Sequence, residues 1–168
     1  MATDTVRELK AKADRAWARL ARQLEGMAPH LERADAPGEW TTREVLSHLL
    51  FQPGWDARAE LASFATKDYP VIEIEPGDTY LDDARRAMTL AQLVDALDAQ
   101  RRAVFDFLEG LSEADLERKA RIPLFKQFMG TDEITLPVYV GAMFDFHWND
   151  HAGQLAKIRK AAGLPAAA

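Results

Sequence analysis

The chain contains no cysteine, and that absence removes disulfides, thiolate metal sites, iron–sulfur clusters and a cysteine nucleophile together. Any metal has to be held by nitrogen or oxygen. Long apolar runs are also missing: no stretch approaches the ~18 residues that suggest a membrane span, and the amino end, MATDTVRELKAKADRAWARL, lacks the apolar centre of a signal peptide. A cytoplasmic protein with no membrane partner is expected. Blocks of positive charge are lacking as well; the formal net charge is −6, with 29% charged residues of both signs, which disfavours binding to phosphate backbones. Nucleic acid is not an expected partner.

What is present suits one folded domain spanning residues 1–168, since 48% hydrophobic residues in a chain of 168 can build one sizeable core. Val6, Leu9, Ala13, Trp17, Leu20, Leu24 and Met27 recur at steps of three and four and predict a first helix of about seven turns, ended by Pro29. A second helix opens after GEW, with Thr41 or Thr42 as cap, Glu44 in its first turn, and Val45, Leu46, Leu49 and Leu50 on its buried side. FQPGW breaks or kinks it, with a helical tail continuing from Ala57 to Ala65. KDYPVIEIEPGDTY reads as a long connection with room for one edge strand.

Thr89 caps a third helix, whose apolar stripe is Leu90, Leu93, Leu97, Val104, Phe107 and Leu111; SEAD then starts a short extra turn at Ser112. The irregular, apolar stretch from Arg121 to Ile134 predicts a structured loop or small hairpin. A fourth helix begins near Thr135 and Pro137, where the missing amide donor costs little, and closes at Gly163 and Pro165. The expected fold is all-α: an antiparallel four-helix bundle with long connections and a small irregular or hairpin segment before the last helix.

Two of the four histidines, His147 and His151, stand one turn apart in DFHWNDHAGQLAKIR. Val140, Phe144, His147, His151, Leu155 and Ile158 share one spacing, so the pair is expected in the buried seam. A buried imidazole left without a partner costs about 1–3 kcal/mol. Two stacked imidazoles also repel when both are protonated, and a divalent cation resolves both difficulties. His48, beside Val45 and Leu49, is the natural third ligand, whereas His30 follows Pro29 in a polar connection and reads as a surface residue. Glu44, one turn before His48, is either an outer acceptor or base for the site or an acid favouring the helix start. HWNDH lacks the glutamate of HExxH, so a zinc protease is not expected; Asn149 and Asp150 turn away from the histidine face. Trp40, Trp55 and Trp148 are either pocket walls or core. An HxxxH pair alone is more often two histidines satisfied by carbonyls and water than a metal site.

GEWTTREVLSHLL together with HWNDHAGQLAKIRKAAGLP, and RIPLFKQFMGTDEITLPVYV between them, resembles the DinB-like superfamily of four-helix-bundle metalloproteins. The resemblance implies a site of three histidines, His48, His147 and His151, holding a divalent ion such as zinc or nickel, in a homodimer. It further implies a transferase using a low-molecular-weight thiol cosubstrate of the mycothiol or bacillithiol kind on a small-molecule substrate. With no thiol in the chain, the nucleophile would be delivered to a pocket made by the bundle end and residues 121–134. Metal-dependent hydrolysis and a non-catalytic metal or small-ligand binding module are the alternatives, and a structural bundle with satisfied histidines is the third.

Overall fold

A computed structural model describes residues Met1–Ala168. Its elements, in chain order, are α1 (Asp4–Leu24), α2 (Thr42–Leu49), α3 (Ala57–Thr66), α4 (Asp83–Ala87), α5 (Leu90–Leu108), α6 (Glu113–Leu116), β1 (Lys119–Arg121), α7 (Lys126–Met129), β2 (Glu133–Thr135), α8 (Leu136–Gly141) and α9 (His147–Ala161). Residues Ala142–Phe146 form a π-helical turn that joins α8 to α9 in one continuous rod. No helix is long and apolar enough to cross a membrane.

Local chemistry sets the helix starts. Thr41 accepts from the Glu44 amide (3.2 Å) while Glu44 Oε2 accepts from the Thr41 amide (2.8 Å), closing a capping box that satisfies two otherwise orphaned donors. Thr89 with Gln92 and Ser112 with Asp115 repeat the device at α5 and α6. The ends differ more from expectation. The first helix stops at Leu24, before Pro29, because Gly26 adopts a left-handed conformation (φ 75°) that glycine tolerates without a Cβ clash. FQPGW separates α2 from α3 outright, with Asp56 capping the new helix. The 67–82 connection forms no strand of its own and only bridges Val71 to Arg121, and α4 follows it.

Residues 119–135 do form a hairpin, with Ala120 opposite Ile134 in antiparallel register, so the molecule is mostly helical and not strictly all-α. Its chief packing is a ring in which α1 touches α5 and the α8–α9 rod, and α2 touches α5 and α9. Helix direction departs from the expected antiparallel order. Leu9 lies beside Gly141, Arg19 bonds Asn149 and Arg159 bonds the Gln23 carbonyl, so α1 and the α8–α9 rod run parallel. Arg43 reaches the Met88 carbonyl and Gln100 the Leu49 carbonyl, so α2 and α5 are parallel too. Pairs α1–α5 (Asp14 to Arg101, Thr5 to Glu113) and α2–α9 (His48 to His147, with Arg33, whose carbonyl accepts from the Thr42 amide at the start of α2, bonding Ala161) are antiparallel. Parallel neighbours need a return link, which residues 50–89 supply; the links into α2 and into α8 cross diagonals of the ring.

The core comprises Val6, Ala13, Ala16, Leu20, Val45, Leu46, Leu93, Leu97, Phe105, Leu108, Phe144, Trp148 and Leu155 among others. On α5, Phe105 and Leu108 are buried, while Phe107 of the expected stripe is only partly so, and Leu111, also partly buried, lies beyond the helix end. On the last rod the seam passes from Val140 and Phe144 to Trp148, Ala152, Leu155 and Ile158, so the expected placement of His147 and His151 in it is corrected. The cause is the π turn, which spends about one residue more per turn than an α-helix and advances the phase. Trp148 then takes the buried place against Phe144 (4.9 Å, 82°) and Trp17 (5.6 Å).

Candidate metal centre

Rotation of the seam leaves His147 and His151 partly buried on the flank of α9 that faces α2. Helix α2 has only eight residues, ~12 Å of rise, against 26 for the whole rod, so its C-terminal end brings His48 to the rod's middle. There the three Nε2 atoms converge: His48 lies 2.9 Å from His147, and His151 lies 3.1 Å from His147. All three ligand atoms fall within 4.8 Å of one another, and the ring centroids within 4.9 Å.

The outward nitrogens decide the chemistry. His48 Nδ1–H donates to the Asp78 carbonyl (2.6 Å) and His151 Nδ1–H donates to Gln154 Oε1 (2.7 Å). Since each ring carries its proton there when neutral, both Nε2 atoms turn a bare lone pair toward His147. One proton on His147 Nε2 cannot serve two lone pairs equally; a cation among the three can. Tetrahedral coordination at ~2.0–2.1 Å spaces ligand atoms ~3.3 Å apart, close to the two short separations observed. A ring nitrogen tied to a carbonyl or amide oxygen is also how metal-bound histidines are oriented. The donor set of three imidazoles, two with preset tautomers, therefore fits a divalent ion.

Burial, followed by the neighbouring His151 and His48, holds His147 down to about 3. His151 is also lowered, by burial first, with its bond to Gln154 opposing. Both rings are thus neutral at ordinary pH and available as ligands. Trp40 walls the site, its ring 4.8 Å from His48 and stacked on His151 (6.3 Å, 9°).

Residues 12–155 match the DinB superfamily. The chain belongs to this superfamily. No curated protein matches it in sequence. Among solved structures, this DinB-superfamily chain is similar to YfiT from Bacillus subtilis, described as a probable metal-dependent hydrolase with an unusual four-helix bundle topology; the TM-score is 0.72 at 17% identity, covering 98% of this chain and 91% of that one. The parallel α1–α9 and α2–α5 neighbours are the feature of this bundle that an up-and-down order lacks.

Of the residues singled out in the DinB sequence, His48, His147 and His151 come together, and His30 stands apart in a 3-10 turn. Glu44 is engaged with its own helix cap. Asn149 bonds the Asp145 carbonyl (2.6 Å) and Arg19 on α1, and Asp150 is exposed. Trp148 is core, Trp40 is a wall, and Trp55 packs on Phe51. The segment bonded to His48 is the one carrying Asp78, while Arg121 at the start of the 121–134 segment bonds Pro70 and Ile72. Sequence reasoning missed Asp78 and Gln154. The second was accessible, as an amide three residues after His151; the first acts through a backbone carbonyl, which no side chain advertises.

Proposed function

We propose that this DinB-superfamily chain is a divalent-metal-dependent enzyme whose His48, His147 and His151 hold the ion, zinc or nickel, and whose reaction is hydrolysis of a small molecule. The observation that carries this reading is the convergence of three Nε2 atoms, two of them held bare by acceptors on the far side of their rings. The likeness to YfiT, itself described as a probable metal-dependent hydrolase, supports the reaction class. When bound, such an ion supplies Lewis acidity and lowers the pKa of the nucleophile that reaches it. The chain's own contribution is orientation: Asp78 and Gln154 hold the His48 and His151 tautomers, burial keeps His147 unprotonated, and Trp40 shields one side of the rings from water.

Transfer of a low-molecular-weight thiol to an electrophile is the second reading. In that reading the thiol is a bound small molecule, because the chain has no thiol of its own. Metal content of untagged protein, measured by elemental mass spectrometry beside His147→Ala, is the first test. Near-stoichiometric metal that vanishes in the variant supports the centre, and absence of metal after incubation with zinc and nickel sinks it. Ester and amide panels, run with and without an added thiol, then separate the reactions: product without thiol means hydrolysis, and thiol consumption coupled to electrophile loss means transfer.

A further inference from the structure

The guanidinium of Arg85, in α4, sits where two strands of chain meet beside His48. Its Nη1 donates to the carbonyl (2.8 Å) and hydroxyl (3.3 Å) of Ser47, the residue before His48, and to the Tyr80 carbonyl (3.4 Å); its Nη2 donates to the Phe51 carbonyl. Ser47 and Phe51 bracket the C-terminus of α2, whose last carbonyls have no partner within the helix. Tyr80 belongs to the other side, two residues beyond Asp78. No carboxylate hydrogen-bonds this side chain; its charge is set against the negative end of the α2 dipole, with Asp82 near enough to act on it electrostatically.

The Asp78 side is a turn built to present one carbonyl. Gly77 has φ 89° and Tyr80 φ 51°, both in the left-handed region, and the Tyr80 amide donates to Asp78 Oδ1 (2.7 Å). Asp78 is itself exposed. The anchoring comes from further along: Asp82 Oδ1 accepts from the Arg85 amide (2.8 Å), and Arg43 on α2 donates to the Arg85 (3.0 Å) and Met88 (2.6 Å) carbonyls. The turn is thus pinned to α2 through Arg85, from both its backbone and its side chain.

We infer that Arg85 is a positioning residue for the histidine site: by joining the C-terminus of α2 to the Tyr80 carbonyl, it holds the Asp78 carbonyl against His48 Nδ1 and so fixes the tautomer that leaves His48 Nε2 bare. A planar guanidinium does this because its donors point in several fixed directions at once, which an ammonium cannot reproduce. His151 takes its tautomer from Gln154, on its own helix, and is independent of Arg85.

The test uses the full chain, free of metal and labelled with nitrogen-15, and reads histidine tautomers from long-range proton–nitrogen correlations. In the parent, His48 and His151 should both carry the proton on Nδ1. In Arg85→Met, His48 should populate both tautomers while His151 stays unchanged; a general loosening of the fold would move both. Zinc affinity, measured against a competing chelator, should fall by roughly 10–100-fold, the usual effect of losing an outer partner of a ligand. Arg85→Lys is made in parallel, and should show the same His48 change in smaller degree; it decides the matter if the methionine variant does not fold. A folded variant in which His48 keeps its Nδ1 proton overturns the inference. The affinity arm rests on the proposed metal centre, but the tautomer arm does not, so a parent that binds no zinc sinks that centre and leaves Arg85 to be judged by the tautomers alone.

Discussion

Two of the polar groups between helices of this bundle, Tyr139 with Glu60 and the three histidines, differ in how far the chain itself satisfies them. Between α3 and α8, Tyr139 donates its hydroxyl to Glu60 Oε2 (2.8 Å) among Phe64 and Phe125. Burial raises the Glu60 carboxyl, the Tyr139 bond partly opposing, and burial followed by Glu60 raises the Tyr139 phenol. One donor meets one acceptor and the account closes. Between α2 and α9, three rings have their outer nitrogens supplied at His48 and His151 and their inner nitrogens aimed at one another. A pair that satisfies itself is structure; a set of lone pairs brought to one point could hold a cation.

The sharpest way to break this contrast is His147→Ala. The variant should lose bound metal altogether, and zinc at a hundredfold excess over its Kd, which should stabilise the parent by about 2.7 kcal/mol, should leave the variant's unfolding unchanged. Thermal melts with zinc and with a chelator provide the comparison, and stabilisation persisting in the variant would move the site elsewhere.

Trp148→Ala, the adjacent position, should do the reverse in kind. It removes a ring 1% exposed in the seam and should cost about 3–5 kcal/mol, read as a lower urea midpoint in metal-free protein. Equal destabilisation by the two variants would mean that the π turn does not separate a core face from a site face.

A smaller effect is expected from Gln154→Leu, which frees His151 Nδ1 without touching an Nε2 atom. Zinc affinity should drop by roughly 10–100-fold with metal-free stability little altered, as isothermal titration would show.

Glu60→Gln should have the least effect, and only through pH. Because the folded carboxyl is raised above 4.5, its contribution to stability is complete below that value and is lost as pH rises through the folded value. The glutamine keeps an oxygen for Tyr139 but has no charge to desolvate, so its melting temperature should lack that decline and should equal or exceed the parent's at neutral pH. Metal content should be unaffected, and a loss of metal would join the two regions that the comparison separates.

Much of this was legible in the chain. Thr41, Thr89 and Ser112 announced their helix starts because a cap and its partner lie three residues apart, within reach of any local reading. His147 and His151 were recognisable as one helical step for the same reason. Their exact angular place was not, since steps of three and four from Phe144 reach either His147 or Trp148, and the π turn chose the latter. Neither helix direction nor the Asp78 carbonyl has a side-chain signature: the first depends on how far residues 50–89 travel, the second on where a surface turn comes to rest.

The sequence by itself determined most of the helices, the absence of sulfur ligands from cysteine and the one-turn pairing of His147 with His151, because these depend on composition or on contacts a few residues apart. Only the tertiary structure decided that His48, ninety-nine positions from His147, closes the set at 2.9 Å, and that the lone pairs face inward. Those outcomes depend on the parallel return of α5 beside α2, on the short reach of α2 and on a carbonyl held by a distant arginine, none of which has a period or a motif to read.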